Sequence, residues 1–290
     1  MTASTTQHPT AGPGVRTKSA RTDSGRTSAR ALSVVIGKAV SDRLALAVLV
    51  GMLMLVLGVM VGALWPPLQE TFANLSLPEA FSSFLGGATL ATPLGWTNAE
   101  LVSVVAPAGA IVVGVISGAR ATAGEEEDKT LGVLLATPVD RIPFLLAKTV
   151  AMIVHVLTVS LLLVAGLAAA NPIGDLGISA SGMLGAGLHT AALGILFGVI
   201  AVIVGSASGS RRLTNAVAGG LATLAFAMNS FLPLSDSLAG LAKLSPWYYF
   251  NSGDPLANGP NLGQLLVLGA AALVILALGP GVFNRRDLRG

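Results

Sequence analysis

The sequence has no cysteine and few charged residues, and both absences limit what the protein can be. Without cysteine there are no disulfides, no thiolate metal sites and no cysteine nucleophile. Charged residues make up 11% of the chain, whereas an ordinary soluble domain contains about 25%. The apolar residues, 53% of the total, are grouped in blocks of roughly 20 that match the hydrocarbon thickness of a bilayer. The sequence therefore predicts an integral membrane protein.

Several catalytic and energy-coupling signatures are also missing. No segment reads G-x-x-x-x-G-K-[ST], so the chain has no P-loop for ATP, and the glycine-rich stretch 205–212 is predicted to be a short turn. There is no H-E-x-x-H motif, and His155 and His189 fall in different predicted spans, where each is expected to bond across a helix interface. All 14 acidic residues lie in predicted loops or at span edges. Because ion-driven carriers usually keep an ionisable group inside the bilayer, this absence argues against a secondary carrier.

What the sequence does contain is six long apolar segments, which predict an all-α integral membrane fold with six transmembrane helices. The predicted spans are about 44–64, 101–118, 142–168, 182–204, 217–234 and 265–282. Lysine and arginine set the orientation, because cytoplasmic loops carry an excess of them. With six spans, 16 of the 17 basic residues fall on one side, and the exception is Lys243. Both termini are therefore predicted to be cytoplasmic, and the net charge of +3 is assigned to topology rather than to a nucleic-acid partner.

The first 30 residues differ in composition from the rest of the chain. Residues 1–30 are polar and rich in Thr, Ser, Arg and Gly, which predicts a disordered cytoplasmic tail before a six-helix transmembrane domain at 31–290. A mitochondrial transit peptide would share the Arg- and Ser-rich composition, although Pro9 and Pro13 would break its helix. Residues 31–43 mix apolar and charged side chains, which suits either a helix on the inner membrane surface or a charged collar of the first span.

The two longer loops on the opposite side contain aromatic residues. Residues 65–99 include Trp65 and Trp96, and residues 235–261 include the run Pro246–Phe250. Such side chains usually anchor a protein at the membrane interface. The alternative is that they belong to a re-entrant or gate-forming segment on the outer side.

One cytoplasmic segment, residues 118–141 between the second and third spans, has the pattern of an amphipathic helix. Its acidic run, Glu125–Asp128, would occupy the first turn, where the helix dipole favours negative charge. Three leucines then share one face at i, i+3, i+4 spacing, and a proline would end the helix. The helix could simply lie on the inner surface, or it could be the docking contact for a cytoplasmic partner.

This segment resembles the loop between the second and third spans of type-2 (exporter-like) ABC transporter permeases. Members of that family carry an acidic run, a Thr-Leu pair, two further leucines, Pro-Val and an arginine, and then a lysine that enters the next span. Here Lys129 replaces the usual glycine before the threonine, while Ser245–Trp247 and Phe283–Leu288 are similar to family patterns around the sixth span. The matching positions are Glu125, Glu126, Glu127, Asp128, Thr130, Leu131, Leu134, Leu135, Pro138, Val139, Arg141 and Lys148.

The resemblance covers residues 31–290 and implies the permease subunit of an ATP-driven transporter, expected to be an exporter in a prokaryotic cell membrane. It implies that the segment is a coupling helix docked on a separate ATPase subunit, with Arg141 and Lys148 anchoring the return of the loop to the bilayer. No catalytic site, metal or cofactor is expected in this chain, and ATP and Mg²⁺ would be bound by the partner. Two ATPase subunits and a second copy of this permease, or a similar one, are expected, with a translocation path lined by the first, second and fifth spans.

Two other function classes stay open at the level of sequence. An ATP-independent secondary carrier would transport without an ATPase partner. A membrane enzyme or an assembly scaffold is the other alternative; an enzyme would need a catalytic pair of ionisable residues within the spans, and the sequence shows none.

Overall fold

The structure is a computed structural model that describes the backbone of residues 17–73, 90–124, 127 and 141–284. Side chains are described for residues 33–71, 90–124, 127 and 142–279. The described residues contain helices and no strand. Within these described ranges, six helices are long and apolar enough to cross a membrane, which confirms the predicted all-α fold with six spans. Spans 1 to 6 are Ser33–Thr71, Pro93–Gly124, Ile142–Gly174, Ala180–Ser208, Arg211–Leu234 and Leu262–Gly279.

Span 1 belongs to a helix of 57 residues, Thr17–Ala73, which begins well before the apolar block. Residues 17–30 were expected to be part of a disordered tail, and the structure makes them helical. No proline lies between Pro13 and Pro66 to interrupt a helix there. The helix runs unbroken through 31–43, so that segment is the charged collar of span 1 and not a separate surface helix. Residues 1–16 lie outside the described residues.

Span 2 is built from four helical pieces, and this explains why it is longer than the predicted 101–118. A short helix at Pro93–Thr97 leads into a π-helix at Asn98–Val102. An α-helix, Val105–Ala119, forms the middle, and a second π-helix, Arg120–Gly124, ends the span. Asn98 and Glu100 lower the local hydropathy without stopping the helical chain. Hydropathy thus located the apolar centre of the span but not its ends.

The helices that form the remaining spans are Arg141–Gly174 for span 3, Ala180–Ser208 for span 4, Arg211–Phe231 for span 5 and Leu262–Asn284 for span 6. Short connections join spans 3, 4 and 5. Four short helices follow the span 5 helix, and the first of them still belongs to span 5. The four are 3₁₀ turns at Leu232–Leu234 and Ala239–Leu244, then α-helices at Pro246–Asn251 and Pro255–Asn258.

Glycines let the spans approach closely, as is usual where helices associate in lipid. Span 1 packs along span 3, where a Cβ placed on Gly58 would lie 2.9 Å from the carbonyl carbon of Gly166. Span 2 packs along span 4 in the same way, because a Cβ on Gly118 would lie 2.5 Å from the carbonyl oxygen of Gly198. Any larger residue at these positions would push the helix backbones apart.

Spans 2 and 4 form the centre of the bundle. Their most apolar windows are each 67% buried, compared with 28%, 22% and 17% for spans 1, 5 and 6. The three peripheral spans therefore present apolar side chains outward, for lipid or for another chain. We name the two ends of the bundle by composition. The basic end, where spans 1, 3 and 5 begin, contains Lys38, Arg43, Arg120, Lys148 and Arg211; the aromatic end contains Trp65, Trp96, Trp247, Tyr248 and Tyr249.

Candidate functional site

The predicted docking segment lies at the basic end, between spans 2 and 3, and the structure describes only part of it. Glu127 is helical and exposed. Arg141 begins the span 3 helix, with its side chain outside the described residues. The other predicted docking positions also lie outside the described residues: Glu125, Glu126, Asp128, Thr130, Leu131, Leu134, Leu135 and Pro138. Their assignment to docking stays a prediction.

Glu127 bonds with both carboxylate oxygens to Arg211, the first residue of the span 5 helix. The backbone N–H of Arg211 donates to Oε1 (2.8 Å), and its Nε–H donates to Oε2. The two residues are 84 positions apart in sequence. The backbone N–H of Arg211, and then its guanidinium, hold the pKa of the Glu127 carboxyl below its usual value. The carboxylate is therefore charged and bonded at neutral pH.

The position of Arg211 is fixed by a tight turn between spans 4 and 5. Gly209 ends span 4 with φ of +61°, a left-handed conformation that glycine adopts without strain. Ser210 caps the next helix: its Oγ accepts from the N–H of Leu213 (3.4 Å), and its carbonyl accepts from the hydroxyl of Thr214 (2.8 Å). The stretch 205–212 is thus the end of span 4, a turn and a helix start, as predicted. Glu127 adds a carboxylate at the positive end of the span 5 helix.

The π-helix Arg120–Gly124 carries the chain from span 2 toward Glu127 and is packed against span 4. Residues 121–124 are all buried. The hydroxyl of Thr122 donates to the carbonyl of Val202 (3.4 Å). A Cβ on Gly124 would lie 3.5 Å from Cδ of Arg211, so this end of span 2 also borders span 5. The sequence showed that Glu127 and Arg211 share one side of the membrane, but no spacing rule indicated either their pairing or the π-helix.

His155 joins three spans near the basic end. Its Nε2–H donates to the carbonyl of Val40 in span 1 (2.8 Å), and its Nδ1 accepts from the hydroxyl of Ser117 in span 2 (3.1 Å). Because a carbonyl can only accept, the ring carries its proton on Nε2. Nearby, the ammonium of Lys148 lies 5.5 Å from the centre of the Phe144 ring. The histidine thus bonds across helix interfaces, as predicted.

His189 has the equivalent position at the aromatic end, in span 4. Its Nδ1–H donates to the carbonyl of Phe250 (3.1 Å), and its Nε2 accepts from the N–H of Asn261 (3.2 Å). The ring therefore attaches span 4 both to the short helix Pro246–Asn251 and to the start of span 6. No group of three or more His, Asp or Glu suited to a metal ion occurs within the part of the chain that the structure describes.

The aromatic run between spans 5 and 6 is folded into the bundle. Trp247 is 4% exposed and meets Phe226 of span 5 edge-to-face, with ring centres 5.1 Å apart. The hydroxyl of Ser245 donates to the carbonyl of Ala225 in span 5 (2.6 Å). The residues that follow, Pro255–Asn258, lie so close to span 4 that a Cβ on Gly185 would meet the carbonyl of Pro255. Trp247 and Phe250 are thus packed inside the bundle, while Tyr248 and Tyr249 are half-buried. Both interpretations of the run, an anchor at the membrane interface and a re-entrant or gate-forming segment, stay predictions.

Comparison with protein families gives a match across this whole arrangement. The model for the multidrug efflux system permease Rv1217c, C-terminal domain, matches residues 39–284, from span 1 to the end of the span 6 helix. The chain belongs to this family. An efflux-permease domain of six spans is a multi-pass transport protein, and the match supports the ABC-type permease recognised from the sequence. A comparison with curated proteins gives no match.

Proposed function

We propose that this chain is the membrane-spanning permease subunit of an ATP-driven ABC exporter. The observation that carries the proposal is the efflux-permease family match, which reaches from span 1 to span 6. The missing P-loop fits, because the ATPase would then be a separate polypeptide. The family name speaks of multidrug efflux, and we extend that to this chain as export of apolar compounds.

The proposed orientation places the basic end in the cytoplasm of a prokaryotic cell. It is supported by the asymmetry of lysine and arginine, since 16 of 17 basic residues fall on that side of six spans. Both termini then lie in the cytoplasm, and Lys243 lies on the outer side. The inserted helices Pro246–Asn251 and Pro255–Asn258 would close the outer end of the bundle.

The segment 118–141 is proposed to dock the ATPase subunit. Glu125–Asp128 would supply charge, Leu131, Leu134 and Leu135 an apolar face, and Thr130, Pro138 and Arg141 the ends of the helix. ATP and Mg²⁺ would be bound by the partner, present in two copies. The low burial of spans 1, 5 and 6, at 28%, 22% and 17%, leaves apolar surface that a second permease would partly cover. The path between the two permeases would be lined by spans 1, 2 and 5.

Docking is tested by co-purification in detergent. The chain would be co-expressed in turn with each candidate ABC ATPase of its source organism, as wild type and as the double variant Leu131→Asp/Leu134→Asp. We expect the wild type to retain one ATPase and the variant to lose it, because two carboxylates on the apolar face would be desolvated in the contact. Val34→Asp is the matched control, since Val34 is 67% exposed at the same end of the bundle and outside the segment.

The outcomes separate the proposal from its competitors. If the double variant still binds the ATPase, the segment 118–141 is not the docking site, although the assignment of the chain as an ABC permease subunit stands. Absence of any bound ATPase for the wild type would contradict the ABC assignment, and the chain should then be assayed as a secondary carrier by ionophore-sensitive transport in vesicles without ATP.

A further inference from the structure

The link between Glu127 and Arg211 joins the proposed docking segment to one particular span. Glu127 holds the main-chain N–H of Arg211 as well as its guanidinium. A hydrogen bond to the main chain moves together with the end of the helix. When the bond is made only to a long side chain, a change of rotamer can absorb the movement and the helix can stay where it is. Glu127 is therefore attached to the start of the span 5 helix and not merely near a positive charge.

The helices on either side of this link restrict how far Glu127 and Arg211 can move relative to each other. The π-helix Arg120–Gly124 is buried against span 4 through Thr122, so the chain leading to Glu127 has a fixed starting point. On the other side, the capped turn at Gly209 and Ser210 gives Arg211 a defined position after span 4. Gly124 also borders the Arg211 side chain, with a Cβ–Cδ distance of 3.5 Å if alanine replaced it. A displacement of the segment after Gly124 would therefore reach Arg211 directly.

Span 5 is also one of the spans least held by the rest of the bundle. Its apolar window is 22% buried, compared with 67% for spans 2 and 4. A force applied through Glu127 would act on a helix with few contacts to break. The Glu127 and Arg211 side chains are 34% and 29% exposed, so their charge interaction is partly screened. The significance of the link is therefore mechanical: it determines which span follows the docking segment.

We propose that Glu127 and Arg211 form a tie that transmits displacement of the docking segment to span 5, which makes both of them positioning residues for transport. This inference rests on the proposed function, because it requires an ATPase that moves the segment. Span 4 stays in place during this motion, since it is held at both ends by Thr122 and by His189.

The tie is tested by measuring the movement of span 5 when ATP binds. Because the sequence contains no cysteine, Leu234→Cys introduces a unique site for a spin label at the far end of span 5, where Leu234 is 52% exposed. The complex with its ATPase is measured with and without a non-hydrolysable ATP analogue and Mg²⁺. We expect an ATP-dependent spectral change in the wild type that Glu127→Ala abolishes or reduces to a small fraction, because the tie to the start of span 5 is lost.

Matched variants distinguish a tie from a general structural role. Arg211→Lys keeps both the backbone N–H and a positive charge, so it should retain most of the change. Arg212→Ala and Glu100→Gln remove exposed charges of each sign elsewhere and should leave it intact. In the variants outside the docking segment the ATPase must still co-purify, and a label at Leu262→Cys in span 6 should report no loss in Glu127→Ala.

If Glu127→Ala itself loses the ATPase, because Glu127 is one of the proposed docking charges, Arg211→Pro replaces it: proline is tolerated at the first position of a helix and removes both the N–H and the guanidinium that Glu127 binds. Arg211→Pro should then reduce the change in span 5 to the same extent, and a change of full size would refute the tie.

The proposal of a tie between Glu127 and Arg211 and the proposal of an ABC exporter would be contradicted by different results. If the ATPase binds and Glu127→Ala leaves the ATP-dependent change at full size, the tie is refuted while the exporter assignment stands. If no ATPase binds the wild type, the proposed function fails first, and the tie fails with it because nothing would move the segment.

Discussion

Replacing Gly62 by alanine should destabilise the protein, because this glycine sets the closest approach of spans 1 and 3. A Cβ at Gly62 would lie 2.6 Å from the carbonyl oxygen of Ala170 and 2.9 Å from its Cβ. Carbon atoms in good contact are about 3.5–4.0 Å apart, so the two helices would have to separate by roughly 0.6–1.1 Å. Overpacking of this kind costs about 1–3 kcal/mol. Alanine recovers up to about 1 kcal/mol through its higher helix propensity, which leaves a net loss of about 0–2 kcal/mol relative to the wild type and of about 1–3 kcal/mol relative to an alanine that meets no neighbour.

Gly269→Ala is the matched control for Gly62→Ala. Gly269 lies in span 6, and a Cβ there would meet nothing within 4 Å. The same chemical change should therefore be neutral or stabilising by up to about 1 kcal/mol. Gly114→Ala is a second test at the interface of spans 2 and 4, since its Cβ would lie 2.5 Å from the carbonyl oxygen of Gly194. It should behave like Gly62→Ala.

The assay is thermal unfolding of the purified variants in detergent, followed by tryptophan emission. Trp65 and Trp96 have ring centres 6.4 Å apart at the aromatic end, where spans 1 and 2 meet, so they report on the packing of span 1. A difference of about 1–3 kcal/mol between Gly62→Ala and Gly269→Ala separates their midpoints by about 2–12 °C, at about 2–4 °C per kcal/mol for a large domain. A midpoint for Gly62→Ala equal to or above that of Gly269→Ala would refute the packing of spans 1 and 3 on which the reasoning depends.

Two further predictions concern the contacts at the ends of the bundle. His189→Ala leaves the Phe250 carbonyl and the Asn261 N–H without their partner, at about 1–3 kcal/mol for each unsatisfied group, so limited proteolysis should cut the segment between spans 5 and 6 sooner than in the wild type. The pKa of the Glu127 carboxyl is lower in the folded than in the unfolded state. Its link to Arg211 therefore stabilises the fold at pH values above the unfolded-state pKa. This stabilisation is lost as the pH falls through the folded value, which lies below 4.5. The difference in thermal midpoint between wild type and Glu127→Gln should accordingly be constant from neutral pH down to about 5 and disappear in stronger acid; a difference that grows on acidification would contradict this sign.

The number of spans could be predicted from the sequence because a bilayer imposes a length of roughly 20 apolar residues on each helix. The ends could not be predicted in the same way. Hydropathy follows the membrane, whereas a helix continues as long as its backbone hydrogen bonds can be made, whatever the polarity of its side chains. The helix of span 1 therefore extends back to Thr17 and forward past Pro66 and Pro67, and span 2 begins at Pro93 and passes through Glu100.

For a related reason, only part of the candidate site could be predicted from the sequence. Charge asymmetry placed Glu127 and Arg211 on one side of six spans, and the acidic run marked the segment itself. Their pairing depends on which spans are neighbours at that end, and the composition of lipid-facing helices carries little information about neighbours. The aromatic run had two interpretations for the same reason, since tryptophan suits an interface and a buried contact equally well. The edge-to-face contact of Trp247 with Phe226 shows that this ring packs inside the bundle, whereas the position of the run relative to the membrane stays a prediction.

Contacts near the two ends of span 4 explain how the bundle can have a defined shape although its outer helices, spans 1, 5 and 6, are little buried. At the basic end, the carbonyl of Val202 accepts from Thr122 of span 2; at the aromatic end, His189 bonds to the segment before span 6 and to its first turn. The Phe250 carbonyl and the Asn261 N–H lie at helix ends, where main-chain groups would otherwise lack bonds. Span 5 is attached differently: it meets span 4 at the capped turn, Glu127 at its start and Trp247 near its end. A tilt of span 5 about that turn would change the contacts of Glu127 and Trp247 together. A variant at one of these contacts should therefore alter the environment of the other, and this coupling between ends is what alternating access in such a bundle would require.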